Sequence, residues 1–168
     1  VSLRTKNGRN KRKVAGDCGG ILALGRIVIR YKLLVQEMGK GSFKTFEDLD
    51  CWKACTRVRR YITELVKKYP KEEKYGLAGD MKRAARSTTH NIAEGFGRFH
   101  FQENIQFCRH SRGSLHELID QLITSLDEEF IAEEEYKQGR VLISDALGLL
   151  NGYINYLSRQ KERFSENV

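Results

Sequence analysis

The chain contains 168 residues, with 30 lysines and arginines against 22 acidic residues and a single proline. This length allows one domain with a sizeable core plus an appendage, and the single proline argues for long helices and against a many-turned sheet. The net charge of +8 does not indicate a basic domain, because residues 1–45 carry +9 and residues 46–168 carry −1.

Residues 1–42 are predicted to be a basic extension outside the folded domain. An apolar run in this segment superficially resembles a signal peptide, but Arg26, Arg30 and Lys32 interrupt it, and the segment is too charged to span a bilayer. Three interpretations stay open: a disordered arm, a short amphipathic element, or a non-native segment translated from upstream of a natural start near Met38. We favour the poorly ordered arm because of its glycine and charge content.

The first helix is predicted to begin at Phe46 and to end at Pro70, because apolar residues recur between them at steps of three and four. Thr45 and Asp48 have the spacing of a capping box, in which each side chain accepts a hydrogen bond from the backbone N–H of the other residue. The apolar stripe of this helix contains Leu49, Trp52, Cys55, Val58, Ile62, Leu65 and Tyr69.

The second helix is predicted to begin near Glu72 and Glu73, whose charges suit a helix N-terminus. We expect it to end at Gly95 and Gly97, because glycine adopts the left-handed conformation that is common just past a helix end. Its small residues allow a neighbouring helix to approach closely, and they are Ala84, Ala85, Ser87, Thr88 and Ala93.

The third helix is predicted over Glu103–Leu126 and the fourth over Ala132–Arg163, again from apolar periodicity. Gly113 interrupts the third helix, and we expect a tight helix crossing there, because glycine in an exposed helix costs about 1 kcal/mol relative to alanine. Four amphipathic helices with short links predict an all-α fold, an antiparallel up-down four-helix bundle, over residues 43–164.

Polar residues on the second and third helices are candidates for an active site, because converging carboxylates can transfer protons or bind a metal. The Glu-x-x-His spacing of a metal site in a bundle is absent, since Asp120 stands three positions after Glu117. The sequence also lacks the order of a nucleophile triad, a phosphate loop and a nucleotide fingerprint. We therefore predict no catalytic residue, no metal, no cofactor and no small-molecule substrate.

We interpret the same polar residues as a structural cluster that fixes the register of the helices rather than adding much stability. Asn91 is expected to bridge to a neighbouring helix, and Glu94 is expected to pair with Arg83, Arg98 or Arg112. The predicted cluster contains Asn91, Glu94, Arg98, Arg112 and Glu117.

Cys51 and Cys55 lie four residues apart, on one face of the first helix. No second pair of cysteines or histidines with metal-ligand spacing accompanies them. We therefore expect reduced, partly buried thiols in a cytoplasmic protein.

Basic side chains on the first two helices form the predicted nucleic-acid interface. Residues 46–112 carry a net charge of +5 and residues 113–168 carry −6, so the first half of the domain can present a positive face. The alternatives are an ordinary solvated face, or a protein-interaction scaffold whose acidic second half meets a basic partner. The predicted interface contains Arg57, Arg59, Arg60, Lys67, Lys68, Lys82, Arg83 and Arg86.

Several short motifs occur between residues 43 and 160. They are Phe46-Glu-Asp-Leu49 with Trp52, Tyr75-Gly-Leu77, Arg83-Ala-Ala85, Ser87, Asn91-Ile-Ala-Glu-Gly95, Gly97-Arg98 and Arg112-Gly-Ser-Leu-His-Glu-Leu118. Taken together, these motifs resemble the bacterial four-helix bundle proteins known as 23S rRNA-intervening sequence proteins, whose reading frame is often found inside an insertion in the large-subunit rRNA gene.

The resemblance implies a non-catalytic homo-oligomer, a pentamer, with a role in binding RNA or another nucleic acid. Two positions depart from the pattern of the family, since Asp80 and Ser111 stand where its members usually carry glutamine and alanine. The N-terminal extension has no counterpart in the family, which favours its assignment as a disordered or non-native segment.

Overall fold

The computed structural model describes residues 43–98 and 100–166. The described chain contains no strand and four α-helices, which are α1 (Asp50–Leu65), α2 (Leu77–Phe96), α3 (Phe101–Asp127) and α4 (Glu133–Glu166). Short 3-10 helices precede α1 at Phe46–Asp48 and connect it to α2 at Val66–Lys68 and Lys71–Lys74. The predicted all-α fold of four helices is confirmed, and the extension predicted over residues 1–42 lies outside the described residues.

The helices form an antiparallel bundle in which each helix packs against two others, in the cyclic order α1, α2, α3, α4 and back to α1. Thr88 contacts Ser111 and Met81 contacts Ser125, so residues later in α2 face residues earlier in α3. The pairs Arg59–Thr89 and Tyr69–Met81 show the same reversal for α2 and the segment from α1 to the residues just after it. The pairs Gln102–Lys161 and Leu122–Gly139 show it for α3 and α4. Short links between antiparallel neighbours give the up-down arrangement.

The core lies between the four helices and is built from the predicted apolar stripes. Ile62, Met81, Leu115, Leu122 and Leu150 are fully buried, and together they represent every helix. Complete burial of one such side chain contributes about 1.5–3 kcal/mol relative to leaving it exposed. Packing between helices, rather than the intrinsic stability of any single helix, therefore holds the fold together.

α1 begins at Asp50, later than predicted, because the capping interaction belongs to a separate turn. The Asp48 carboxylate accepts hydrogen bonds from the backbone N–H groups of Lys44 at 2.8 Å and Thr45 at 3.1 Å. The bond from Thr45, followed by the bond from Lys44, lowers the pKa of Asp48. This turn is the 3-10 helix Phe46–Asp48, and the extended backbone of Leu49 separates it from α1.

α2 begins at Leu77, and the prediction of a start near Glu72 and Glu73 is wrong. Both glutamates lie in the 3-10 helix Lys71–Lys74, and Gly76 has non-helical backbone immediately before α2. Glu73 nevertheless caps α2, because its Oε2 atom accepts a hydrogen bond from the backbone N–H of Leu77 at 2.8 Å. The acidic charge predicted for this helix start is thus present just outside the helix, where it suits the helix dipole.

The glycines of α2 and α3 differ from their predicted roles. α3 runs unbroken through Gly113, where an added Cβ would meet no atom within 4 Å, so no tight crossing occurs there. Gly97 follows α2 with a φ of −75°, so it is not in the left-handed conformation. Gly95 lies inside α2, and a Cβ at this position would lie 2.9 Å from both Asn104 Oδ1 and Phe107 Cβ of α3. The close helix approach is therefore at Gly95.

Candidate nucleic-acid interface

An open depression of about 400 Å³ lies on the surface of the bundle between α1 and α2. Residues four apart lie on the same face of a helix, which places Arg86 and His90 in one row on α2. The antiparallel course of α1 brings Arg59 and Arg60 beside this row. The residues that line this α1–α2 depression are Arg59, Arg60, Thr63, Glu64, Arg86 and His90.

Arg59 is held across the depression by a hydrogen bond between the two helices. Its Nη1 atom donates to Thr89 Oγ1 at 2.9 Å, and the Thr89 hydroxyl donates to the backbone carbonyl of Arg86 at 3.1 Å. Thr89 is buried with 1% of its surface exposed, whereas Arg59 is half-buried. The bond occupies one of the five guanidinium N–H donors of Arg59 and leaves the others available.

The three arginines of the depression have no carboxylate partner within 4 Å in the part of the chain that the structure describes. Glu64 lines the same depression, but Lys67 Nζ lies 2.6 Å from its carboxylate. Both members of that pair are exposed, so the pair adds little stability. Lys67 nevertheless offsets the negative charge of Glu64, and the depression keeps a net positive charge.

Arg57, Lys67 and Lys82 extend the positive charge along the same two helices. Lys82 stands four residues before Arg86, a spacing that keeps both residues on one face of α2. Lys67 lies just after α1, in the 3-10 helix Val66–Lys68. Arg57 is exposed on α1 and has no ion pair with any described residue. The structure therefore places three of the eight predicted interface residues, Arg59, Arg60 and Arg86, in the depression.

Lys68 and Arg83, the other two predicted interface residues, form ion pairs. Lys68 pairs with Glu135 of α4, and this contact is the main cause of the lowered pKa of Glu135. Arg83 pairs with Asp80 of its own helix at 2.6 Å. Because their charges are compensated in the folded chain, these two side chains contribute less to the positive surface than the arginines of the depression.

The structure does not bring the five residues of the predicted polar cluster together. Glu94, near the end of α2, pairs with Arg98 just beyond the helix, and Arg98 is one of the three partners predicted for it. Asn91 donates to the Ser87 carbonyl of its own helix at 2.8 Å rather than bridging directly to α3. The remaining contacts join Arg112 to Asn151 and Glu117 to Gln121. Partners nearby on the same helix satisfy most of these groups, so no buried polar cluster forms from them.

Hydroxyl groups make the polar contacts between α2 and α3. Ser111 Oγ donates to the Thr88 carbonyl at 2.7 Å, and Ser114 Oγ donates to Ser87 Oγ at 2.8 Å. Ser87 and Thr88 were predicted only as small residues that permit close approach. The sequence indicated only that these residues are small. It did not indicate the hydrogen bonds, because those depend on which residues of α3 face them.

Three cysteines, Cys51, Cys55 and Cys108, lie buried in the core as free thiols. Burial raises the pKa of Cys51 to about 12, of Cys55 to about 11 and of Cys108 to about 12. The reactive form of cysteine is the thiolate, so these thiols are unreactive at neutral pH. No group of three histidine, cysteine or acidic side chains could hold a metal ion within residues 43–98 and 100–166.

The architecture defines the chain as an antiparallel four-helix bundle protein with a basic depression between its first two helices. The sequence profile of the 23S rRNA-intervening sequence proteins matches residues 47–152, and the chain belongs to this family. The matched segment includes all eight residues of the predicted interface. The family resemblance found in the sequence is thereby confirmed. No curated protein matches the chain.

None of the helices in the described segments is both long enough and apolar enough to cross a membrane. α4 is the longest, and its central part contains Asp145 and polar residues such as Asn151 and Asn155.

Proposed function

We propose that the chain is a non-catalytic, oligomeric four-helix bundle that binds RNA through its phosphate backbone, at the outer surface of α1 and α2. The name of the family associates it with intervening sequences of 23S rRNA. One observation carries the proposal: the α1–α2 depression holds three arginines that lack a carboxylate partner among the described residues. Guanidinium groups suit phosphate because their paired N–H donors match its oxygens.

The distribution of charge supports the same surface. Residues 46–168 carry a net charge of −1, so the domain has no general excess of positive charge, yet residues 46–112 carry +5. Phosphate contacts position a nucleic acid without reading its bases. The proposed binding is therefore directed at the shape and charge of the RNA backbone, and its affinity falls steeply with salt.

We also propose that the chain forms a homo-oligomer, a pentamer as the family resemblance implies. The outer face of α4 supports self-association, because Val141 and Leu149 expose 60% and 42% of their surface. Asp145 is the one charged residue between Val141 and Asn155. A ring would repeat the α1–α2 depression around its circumference and so strengthen binding to a long RNA.

The experiment measures binding of a structured RNA hairpin to the full chain by fluorescence anisotropy over a salt series. The full chain is used in every case, so that any contribution of residues 1–45, which carry +9, is the same in each comparison. Two variants remove the same amount of positive charge from different surfaces. The interface variant carries Arg57→Gln, Arg60→Gln and Lys82→Gln, and the α4 control variant carries Lys137→Gln, Arg140→Gln and Arg159→Gln.

The interface variant is expected to bind more weakly. It is also expected to reduce the magnitude of the negative slope of log K against log salt by about 2, since each phosphate contact contributes about 0.7–0.9. The α4 control is expected to keep the slope of the unmodified chain, and the native mass is expected to be five times the 19.4 kDa of one chain. Equal weakening by both variants would overturn the proposed surface. An affinity and a salt slope that neither variant changes would favour the protein-interaction scaffold.

A further inference from the structure

We infer that the α1–α2 depression is a preformed seat for one phosphate group, in which Arg59 is a binding residue and Thr89 is the residue that positions it. This inference rests on the proposed RNA binding and goes beyond it. A general positive surface attracts phosphates in proportion to the number of its charges. A seat for one phosphate also requires that the charged groups converge on a single point.

Donors from two helices converge on the depression. Arg59 and Arg60 supply guanidinium groups from α1, and Arg86 supplies a third from α2. His90 lines the α2 side, four residues after Arg86. An anion between the two helices is therefore within reach of donors on opposite walls, an arrangement that gives charge-assisted hydrogen bonds to several phosphate oxygens.

Glu64 is the one lining residue that opposes an anion. Its carboxylate forms an ion pair with Lys67 Nζ at 2.6 Å. Lys67 lies just after α1, in the 3-10 helix Val66–Lys68. It compensates the opposing charge of Glu64, and the three arginines remain in the depression.

Thr89 gives the seat its preorganisation. An arginine side chain loses rotamer freedom when it binds an anion, and that loss weakens binding. The bond of 2.9 Å from Arg59 Nη1 to Thr89 Oγ1 restricts the side chain before any ligand arrives. Because Thr89 is buried with 1% exposure, it does not contact a ligand in the depression, and it acts through Arg59 alone.

The test uses substitutions that leave the charge of the full chain unchanged. Thr89→Val removes the hydroxyl that orients Arg59, and its matched control is Thr88→Val. Thr88 is also buried in α2 and also donates to a carbonyl one turn earlier, that of Ala85 at 2.8 Å, but it does not contact Arg59. Arg59→Lys keeps the charge and loses the paired donors, and its matched control is Arg140→Lys on α4, since Arg140 is also half-buried but lies outside the depression.

Binding is measured with one RNA hairpin prepared with a 5′-hydroxyl and with a 5′-phosphate. Thr89→Val and Arg59→Lys are each expected to raise Kd by about three- to tenfold, as the weakening of a charged hydrogen bond does, with the salt slope unchanged. Both controls are expected to bind like the unmodified chain. An effect with both RNAs supports a seat for an internal phosphodiester, and an effect with the 5′-phosphate alone supports a seat for a terminal phosphate.

The inference is overturned if Thr89→Val and Arg59→Lys bind RNA as tightly as their controls while the charge-removing interface variant binds weakly. In that case RNA binding survives as an effect of the general positive surface. Arg59→Lys keeps the test decisive if Thr89→Val unfolds, since Arg59 is only half-buried. Urea unfolding of each variant establishes that it is folded.

Discussion

Gly95→Ala should measure how tightly α2 packs against α3. The new Cβ would lie 2.9 Å from Asn104 Oδ1, 2.9 Å from Phe107 Cβ and 3.2 Å from the Asn104 carbonyl oxygen. The Asn104 side chain can rotate, but doing so disturbs its contacts with the Cys108 thiol at 3.5 Å and the Tyr153 hydroxyl at 3.3 Å. The Phe107 Cβ and the Asn104 carbonyl belong to the helix framework, so they can move only if α3 moves.

Two effects of opposite sign determine how much Gly95→Ala changes the free energy of unfolding. Alanine favours a helix over glycine by about 0.8–1 kcal/mol. Overpacking at a well-packed contact costs about 1–3 kcal/mol. Because two of the three close atoms cannot yield locally, we expect the overpacking to dominate. The expected loss in the free energy of unfolding is about 1–2 kcal/mol, equivalent to a decrease in Tm of about 2–8 °C for a chain of this size.

Gly113→Ala is the matched control, because Gly113 also lies inside a helix but has open space where its Cβ would be. It is expected to stabilise the chain by up to about 1 kcal/mol. Urea unfolding of the full chain, followed by far-ultraviolet circular dichroism, measures both variants at one protein concentration, since self-association affects apparent stability. If Gly95→Ala stabilised the chain as much as Gly113→Ala, the inferred close approach would be refuted.

Two further predictions concern the link after α3 and the buried thiols. Glu129 has a φ of 58° and is exposed, so Glu129→Gly should stabilise the chain by about 0.5–1 kcal/mol in urea unfolding, and a loss of stability would contradict this. The folded pKa values of Cys51, Cys55 and Cys108 lie above their usual value of 9, so the unfolded chain releases these protons first as pH rises. Stability from this source is complete below pH 9 and is lost as pH rises toward 12. Cys55→Ala should make this fall shallower, and an unchanged slope of stability against pH would count against thiol ionisation.

Most of the fold could be predicted because the signals for helices are local. The spacing of residues such as Val58, Ile62 and Leu65 gave the buried face of α1, and all three are buried. The helix boundaries were less predictable, because the acidic residues near Glu73 suit the first turn of α2 and the turn before α2 equally well. Where α2 begins depends on the backbone conformation at Gly76, which the residue pattern does not determine.

The candidate site was predicted only in outline. Arg59, Arg60 and Arg86 were among eight basic residues, but their meeting in one depression depends on how α1 and α2 are rotated against each other. The hydrogen bond from Arg59 to Thr89 joins residues 30 positions apart and has no local signal. His90 was missed, although its spacing of four residues from Arg86 places both on one face of α2.

The contacts of Glu135 with α1 have a consequence for the order in which the bundle assembles. Tyr61 Oη donates to the Glu135 carbonyl at 2.5 Å, and Lys68 pairs with the Glu135 carboxylate, so these bonds join helices far apart in the chain. The other three helix interfaces join sequence neighbours, and such short-range contacts form faster because they close shorter loops. The α1–α4 interface, which joins the first helix to the last, is therefore expected to form last when the bundle folds.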